Sequence, residues 1–169
     1  MTVATISPMQ AQFEMALLNA EAESTSSSNL YLWLRESGMP SEVAIRIQSL
    51  VDQTAVVAGQ VYCIGKIVVI KIIEFVKAHP DMAIGMVVGA SVGALTSMIP
   101  FLGPYLAPIA IAIGATVGAV AGHRSDKMDM GLTVNSGVIA VAQDLLEIAK
   151  QFFKLLIEIF NAVFTQAKQ

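Results

Sequence analysis

His79 and His123, with Asp81 and Asp126 close by, are the side chains of this sequence whose types and spacing come nearest to doing chemistry. Imidazole changes charge near neutral pH and binds metal as the neutral ring, so such a set could act as a pH-sensitive switch or as a metal site. The spacing argues against a metal, because no HxxxH pair and no cluster of ligands exists. The four are better read as ordinary polar residues at the two ends of an apolar segment. Cys63 is the single cysteine, which excludes an intrachain disulfide and suits a small apolar filler. No P-loop, dinucleotide fingerprint, GxSxG or nucleophile–base pair occurs. The glycine run GMVVGASVG (residues 85–93) has neither a preceding strand nor a following lysine, so it is no phosphate loop. We therefore expect no enzyme, no catalytic residue, no metal and no cofactor.

The segment that these histidines bracket is the most unusual part of the chain. From Met82 to Gly122, 41 residues pass without Asp, Glu, Lys, Arg or His, where an ordinary domain carries about one charge in four residues. Met82–Ile99 is 18 residues, about 27 Å as a helix, close to the ~30 Å hydrocarbon core of a bilayer. Pro100, Gly103, Pro104 and Pro108 mark a turn, with Phe101 and Tyr105 as an aromatic anchor in the far interface. Ile109–Gly122 returns with 14 residues, short enough to call for a thinned bilayer or a re-entrant hairpin. The whole chain is 55% hydrophobic and 14% charged, too little polar surface to cover a monomer in water.

The flanking elements read as helices. Residues 1–29 form a helical arm that opens at Ser7-Pro8, carries Phe13, Leu17 and Ala20 on one face, and ends in a flexible serine-rich linker. Residues 30–80 hold a short helix to Ser37, a Gly38 cap, a restart at Pro40-Ser41-Glu42, and then one long helix or two nearly continuous ones from Val43 to Ala78. The last part is a basic amphipathic helix whose Lys66, Lys71, Glu74 and Lys77 share a polar stripe. It suits the headgroup layer of a membrane, with the lysines reaching outward. Residues 124–169 make a connection and a C-terminal amphipathic helix from Val138 to Phe164, apolar over most of its girth. Residues 1–60 carry a net −4, and residues 61–127 a net +2 that places Lys66, Lys71, Lys77 and Arg124 as lipid-headgroup contacts. The overall charge of −3 argues against nucleic acid. The first Lys or Arg is Arg35, so neither the basic n-region of a secretory signal nor an Arg-rich transit peptide is expected at the N-terminus.

Two glycine ladders carry the most weight. Gly85, Gly89 and Gly93 stand four apart in the first arm of residues 81–123, and Gly114, Gly118 and Gly122 stand four apart in the second. Glycine costs a helix about 1 kcal/mol relative to alanine, so six of them ask for a reason. Spacing by four makes a smooth groove for close backbone approach, a main source of helix attraction in lipid. The grooves either face each other and lock the hairpin, or face other copies and drive assembly. On GMVVGASVG and GATVGAVAG the chain resembles glycine-zipper membrane proteins, and in outline it looks like the hydrophobic hairpin of pore-forming colicins. The expected fold is all-α, with amphipathic helices flanking a glycine-rich transmembrane helical hairpin. The expected function is a homo-oligomeric pore or bilayer-perturbing protein of a bacterial inner membrane, with both termini cytoplasmic. Two alternatives stand beside it. One is a membrane anchor or scaffold that recruits a protein partner through residues 1–60. The other is a soluble helical oligomer that shields the hairpin until triggered.

Overall fold

Helices dominate the computed structural model, which describes residues 6–57, 59–82, 84–113 and 144–166. Helix α1 (Pro8–Ser24) starts where Ser7 accepts a hydrogen bond from the Gln10 amide at 3.2 Å, with Pro8 in the first turn. It is no peripheral arm: it packs on α4 (Ile64–Ala78) and α8 (Lys154–Gln166) and buries Ala11, Met15, Asn19 and Ala22. Phe13 and Leu17 face outward instead, on the opposite side of the helix. The serine-rich segment expected as a linker narrows to Thr25 and Ser26, since Ser24 ends α1 and Ser27 opens helix α2 (Ser27–Glu36). Gly38 then adopts φ +84°, a left-handed conformation that glycine enters without a Cβ penalty, and α3 (Ser41–Val51) follows.

The stretch from Val43 to Ala78, expected as one long helix or two nearly continuous ones, holds two helices separated by an antiparallel hairpin, β1 (Ala55–Val57) and β2 (Gln60–Tyr62). Val56 pairs with Val61 in the ladder, and Gly59 at φ +79° allows the tight reversal. Valine favours a strand over a helix, so the run AVV-AG-QVY pairs with itself once a glycine permits the turn. The fold is therefore mostly helical rather than purely so.

The hairpin returns the chain so that α4 runs through the core. Ile64, Ile67, Val68, Ile72 and Phe75 are each at most 1% exposed. The apolar girth expected to rest on a membrane is covered by α1, α3 and α5 (Ile84–Met98). Gly65 lets α3 come close: a Cβ there would overlap the Leu50 carbonyl oxygen and lie 2.8 Å from its carbon. The Gly65 amide donates to the Gln53 carbonyl at 3.0 Å, and Gln53 donates to Leu50 at 3.0 Å. The buried Asn19 side chain accepts from the Cys63 amide at 2.7 Å, tying α1 to the start of α4. Tyr31 on α2 donates to Asp52 at the end of α3 at 3.3 Å, and burial with the nearby carboxylate raises its hydroxyl above the usual 10.0.

Within the described residues the C-terminal amphipathic helix is present as α7 (144–152) and α8, separated by a single turn residue, Phe153, while its expected start at residues 138–143 lies outside them. The ladder continues across it, with Phe153 donating to Ala149 at 2.9 Å and Ile157 to Phe153 at 2.8 Å. Phe153, Phe160, Val163 and Phe164 are buried, as a helix apolar over most of its girth requires.

Candidate functional site

The uncharged segment folds as an open elbow. Its first arm, α5, has 15 residues, about 22 Å, because the helix spans neither Met82 nor Ile99. A short 3-10 turn, Pro100–Leu102, leads straight into the second arm, α6 (103–113 within the described residues). The turn is tighter than expected. Pro104 stands in the first turn of α6, where the amide it lacks has no helical partner anyway, whereas Pro108 stands in the second turn and leaves the Pro104 carbonyl without its helical donor. The axes of Ile84–Met98 and Pro100–Ile113 are bent by 118°, so the arms stand 62° away from the antiparallel 180° of a closed hairpin. Among the described residues no single helix is long and apolar enough to cross a membrane, and this bent pair passes that test only when taken together.

Burial divides each arm into two faces. Val87, Val88, Leu95, Ile99, Leu102, Leu106 and Ile109 are at most 1% exposed. The outer face of α6 carries Pro104, Ala107, Pro108, Ala110 and Ile111, all exposed, with Ile111 at 72%. A helix at the edge of a water-soluble core ordinarily puts polar residues there, and α6 has none.

The glycine ladder of α5 lines a cavity of about 640 Å³. Gly85, Gly89, Gly93 and Thr96 form one wall, Ile113 a second and Leu146 of α7 a third. A Cβ at Gly89 would rest 3.6 Å from Ile113, one at Gly93 would rest 3.4 Å from Leu146, and one at Gly85 would meet nothing. The first glycine groove thus faces open space and side chains rather than a closely packed backbone. The Thr96 hydroxyl is buried and has no hydrogen-bond partner among the described residues. Gly114, Gly118, Gly122, His123, Arg124 and Asp126 lie outside the described residues, as does the second groove.

Two contacts from α8 hold the elbow. The Asn161 side-chain amide donates to the Met98 carbonyl at 2.8 Å, filling one of the acceptors left open at the end of α5. Phe164 stacks on Phe101 with ring centres 4.1 Å apart and planes 7° apart. The amphipathic pattern of the C-terminal helix does not disclose this bond, because 63 positions separate Asn161 from Met98.

The remaining candidates are dispersed. His79 points Nδ1 at the Phe75 carbonyl at 3.0 Å and packs its ring 4.5 Å from that of Phe75. It lines a second cavity of about 410 Å³ with Trp33, Glu36 and Lys77. No group of three His, Cys, Asp or Glu side chains among the described residues could hold a metal. Lys71 pairs with Glu74 at 3.2 Å, while Lys66 and Lys77 have no carboxylate within ion-pair distance among the described residues. Lys66 and Lys71 are half-buried and Lys77 is exposed.

Comparison with protein-family models, with curated proteins and with solved structures finds no match.

Proposed function

We propose that this is a membrane-active helical protein that stores an uncharged elbow against its own helices and delivers it into a lipid bilayer. The observation that carries this reading is the outer face of α6, where the five exposed residues Pro104, Ala107, Pro108, Ala110 and Ile111 include no polar side chain. The buried face of the elbow is stable in water against α4 and α8, and the outer face suits lipid, so one segment fits both environments. The bend at Pro100–Leu102 is the place where the two arms would change their angle. Once in lipid, apolar burial no longer drives helix association, and the grooves at Gly85, Gly89, Gly93 and Gly114, Gly118, Gly122 would bring copies together. Lys66, Lys71, Lys77 and Arg124 would hold headgroups on the side from which the elbow enters. The output is a homo-oligomeric pore or a perturbed bilayer, and the chemistry is physical rather than catalytic.

Leakage of dye from liposomes, together with alkaline-carbonate pelleting, tests the delivery step. Wild-type protein should release dye and resist extraction. Gly89→Leu tests assembly: the new side chain enters the cavity beside Ile113, so the fold persists while the groove is filled. Blue-native gels should then show membrane-bound protein without oligomers, and unchanged oligomers would remove the groove from the mechanism.

A further inference from the structure

The outward face of α1 is an apolar stripe on a firmly held platform. Met9, Phe13 and Leu17 are 81%, 62% and 52% exposed, and steps of four residues keep all three within an arc of about 80°. Beneath them Ala11, Met15, Asn19 and Ala22 are buried, and Asn19 is bonded to the Cys63 amide, so the helix is anchored along its length. Its charges are all of one sign: Glu14, Glu21 and Glu23, with no Lys or Arg before Arg35. Glu21 and Glu23 lie about 80° to either side of Phe13. No cation pairs with any of the three carboxylates among the described residues; Glu23 accepts only from the neutral Asn19 amide at 3.2 Å.

Charge selects the occupant. A second copy of α1 would set six carboxylates around one apolar seam with no cation between them. Another exposed helical stripe, Ile148, Phe152 and Leu155, brings one base without an ion pair among the described residues, Lys154, because Lys150 is already bonded to Glu147 at 3.6 Å, and the exposed face of α6 brings none. An anionic membrane surface repels the same carboxylates. We propose that the Met9–Phe13–Leu17 face docks a basic amphipathic helix of a partner protein, with apolar residues spaced by three or four and Lys or Arg on both flanks. The apolar residues would cover Phe13 and Leu17, and the flanking bases would meet Glu21 on one side and Glu23 on the other. This docking is independent of what the elbow does, since it uses no residue of α5 or α6.

Fluorescence anisotropy on the full-length protein tests it, with three synthetic 17-residue helices as probes. The first has leucines on one face and lysine flanks, the second the same leucines with glutamate flanks, and the third the lysines with serines for leucines. The first alone should bind, and salt at about 0.5 M should weaken it. Phe13→Ser should weaken it by about tenfold to a hundredfold, since that ring is the largest apolar surface in the stripe. Glu21→Gln with Glu23→Gln should weaken it and flatten its salt dependence. All three substitutions are at exposed or solvent-facing positions, so unchanged melting curves confirm the fold. Equal binding of the glutamate probe, equal binding of the serine probe, or indifference to Phe13→Ser would overturn the proposal. So would concentration-dependent self-association, or binding to anionic vesicles, that Phe13→Ser abolishes.

Discussion

Ile111→Lys separates the folded state from the membrane-inserted one. Ile111 is 72% exposed on α6, and a substitution at such a position ordinarily changes stability in water by no more than about 0.5 kcal/mol. In a bilayer the same residue lies eight positions beyond Gly103, about 12 Å along the helix axis and close to the middle of a ~30 Å hydrocarbon core. At that depth isoleucine contributes about −0.6 kcal/mol to insertion and lysine opposes it by about 2.5–3.5 kcal/mol. The difference is about 3–4 kcal/mol, which at ~1.4 kcal/mol per tenfold is a drop in partitioning of a hundredfold to a thousandfold. Liposome flotation across a series of lipid concentrations measures the partition coefficient, and Ile111→Leu serves as the matched control. Thermal melting without lipid establishes that the folded state is intact. A lysine variant that melts like wild type and partitions within about threefold of it would refute the insertion of α6, because no such charge could reach the core at so small a penalty.

Gly65→Ala should destabilise the fold by about 2–3 kcal/mol, since overpacking against the Leu50 carbonyl and strain on the two amide bonds at Gln53 outweigh the ~1 kcal/mol helix-propensity gain. Gly89→Ala, with 3.6 Å to its nearest neighbour, should be neutral or stabilising by up to ~1 kcal/mol, and urea melts followed by Trp33 fluorescence compare the two. Asn161→Ala releases the Met98 carbonyl at the elbow and should lower stability by about 0.5–1.5 kcal/mol while speeding liposome leakage; slower leakage would show that the bond aids delivery instead. Tyr31 holds its proton more tightly when folded than when unfolded, so the native state binds more protons once pH passes 10.0 and its stability falls as pH rises further. Tyr31→Phe should remove that part of the alkaline loss while leaving the curve below pH 9 parallel to wild type, as read from melting temperature against pH.

Much of the local structure was legible because it depends on neighbours in sequence. Ser7-Pro8 opened α1, Gly38 closed the turn into α3, and the amphipathic pattern up to Phe164 produced α7 and α8 with their ladder intact. The β-hairpin was not read because each strand is only three residues long; valine leans toward a strand, but it takes the turn at Gly59 and the Val56–Val61 pair together to hold one. The periodicity of α1 revealed an apolar face at Phe13, Leu17 and Ala20 but not that a second face, through Ala11, Met15 and Ala22, would be the buried one. An apolar stripe specifies that a helix needs covering, not which neighbour covers it.

The sequence by itself determined that residues 82–122 are uncharged, that helices flank them, and that glycines recur every four positions in both arms. Those are properties of composition and spacing, and they hold in any solvent. Tertiary structure alone decided that the elbow bends by 118°, that α4 lies in the core, and that Asn161 and Phe164 grip the turn from α8. It also decided that α6 keeps its apolar outer face uncovered among the described residues. Each of these depends on contacts between residues far apart in the chain, and hydrophobic burial, being non-directional, leaves the choice of partner to the packing of the whole.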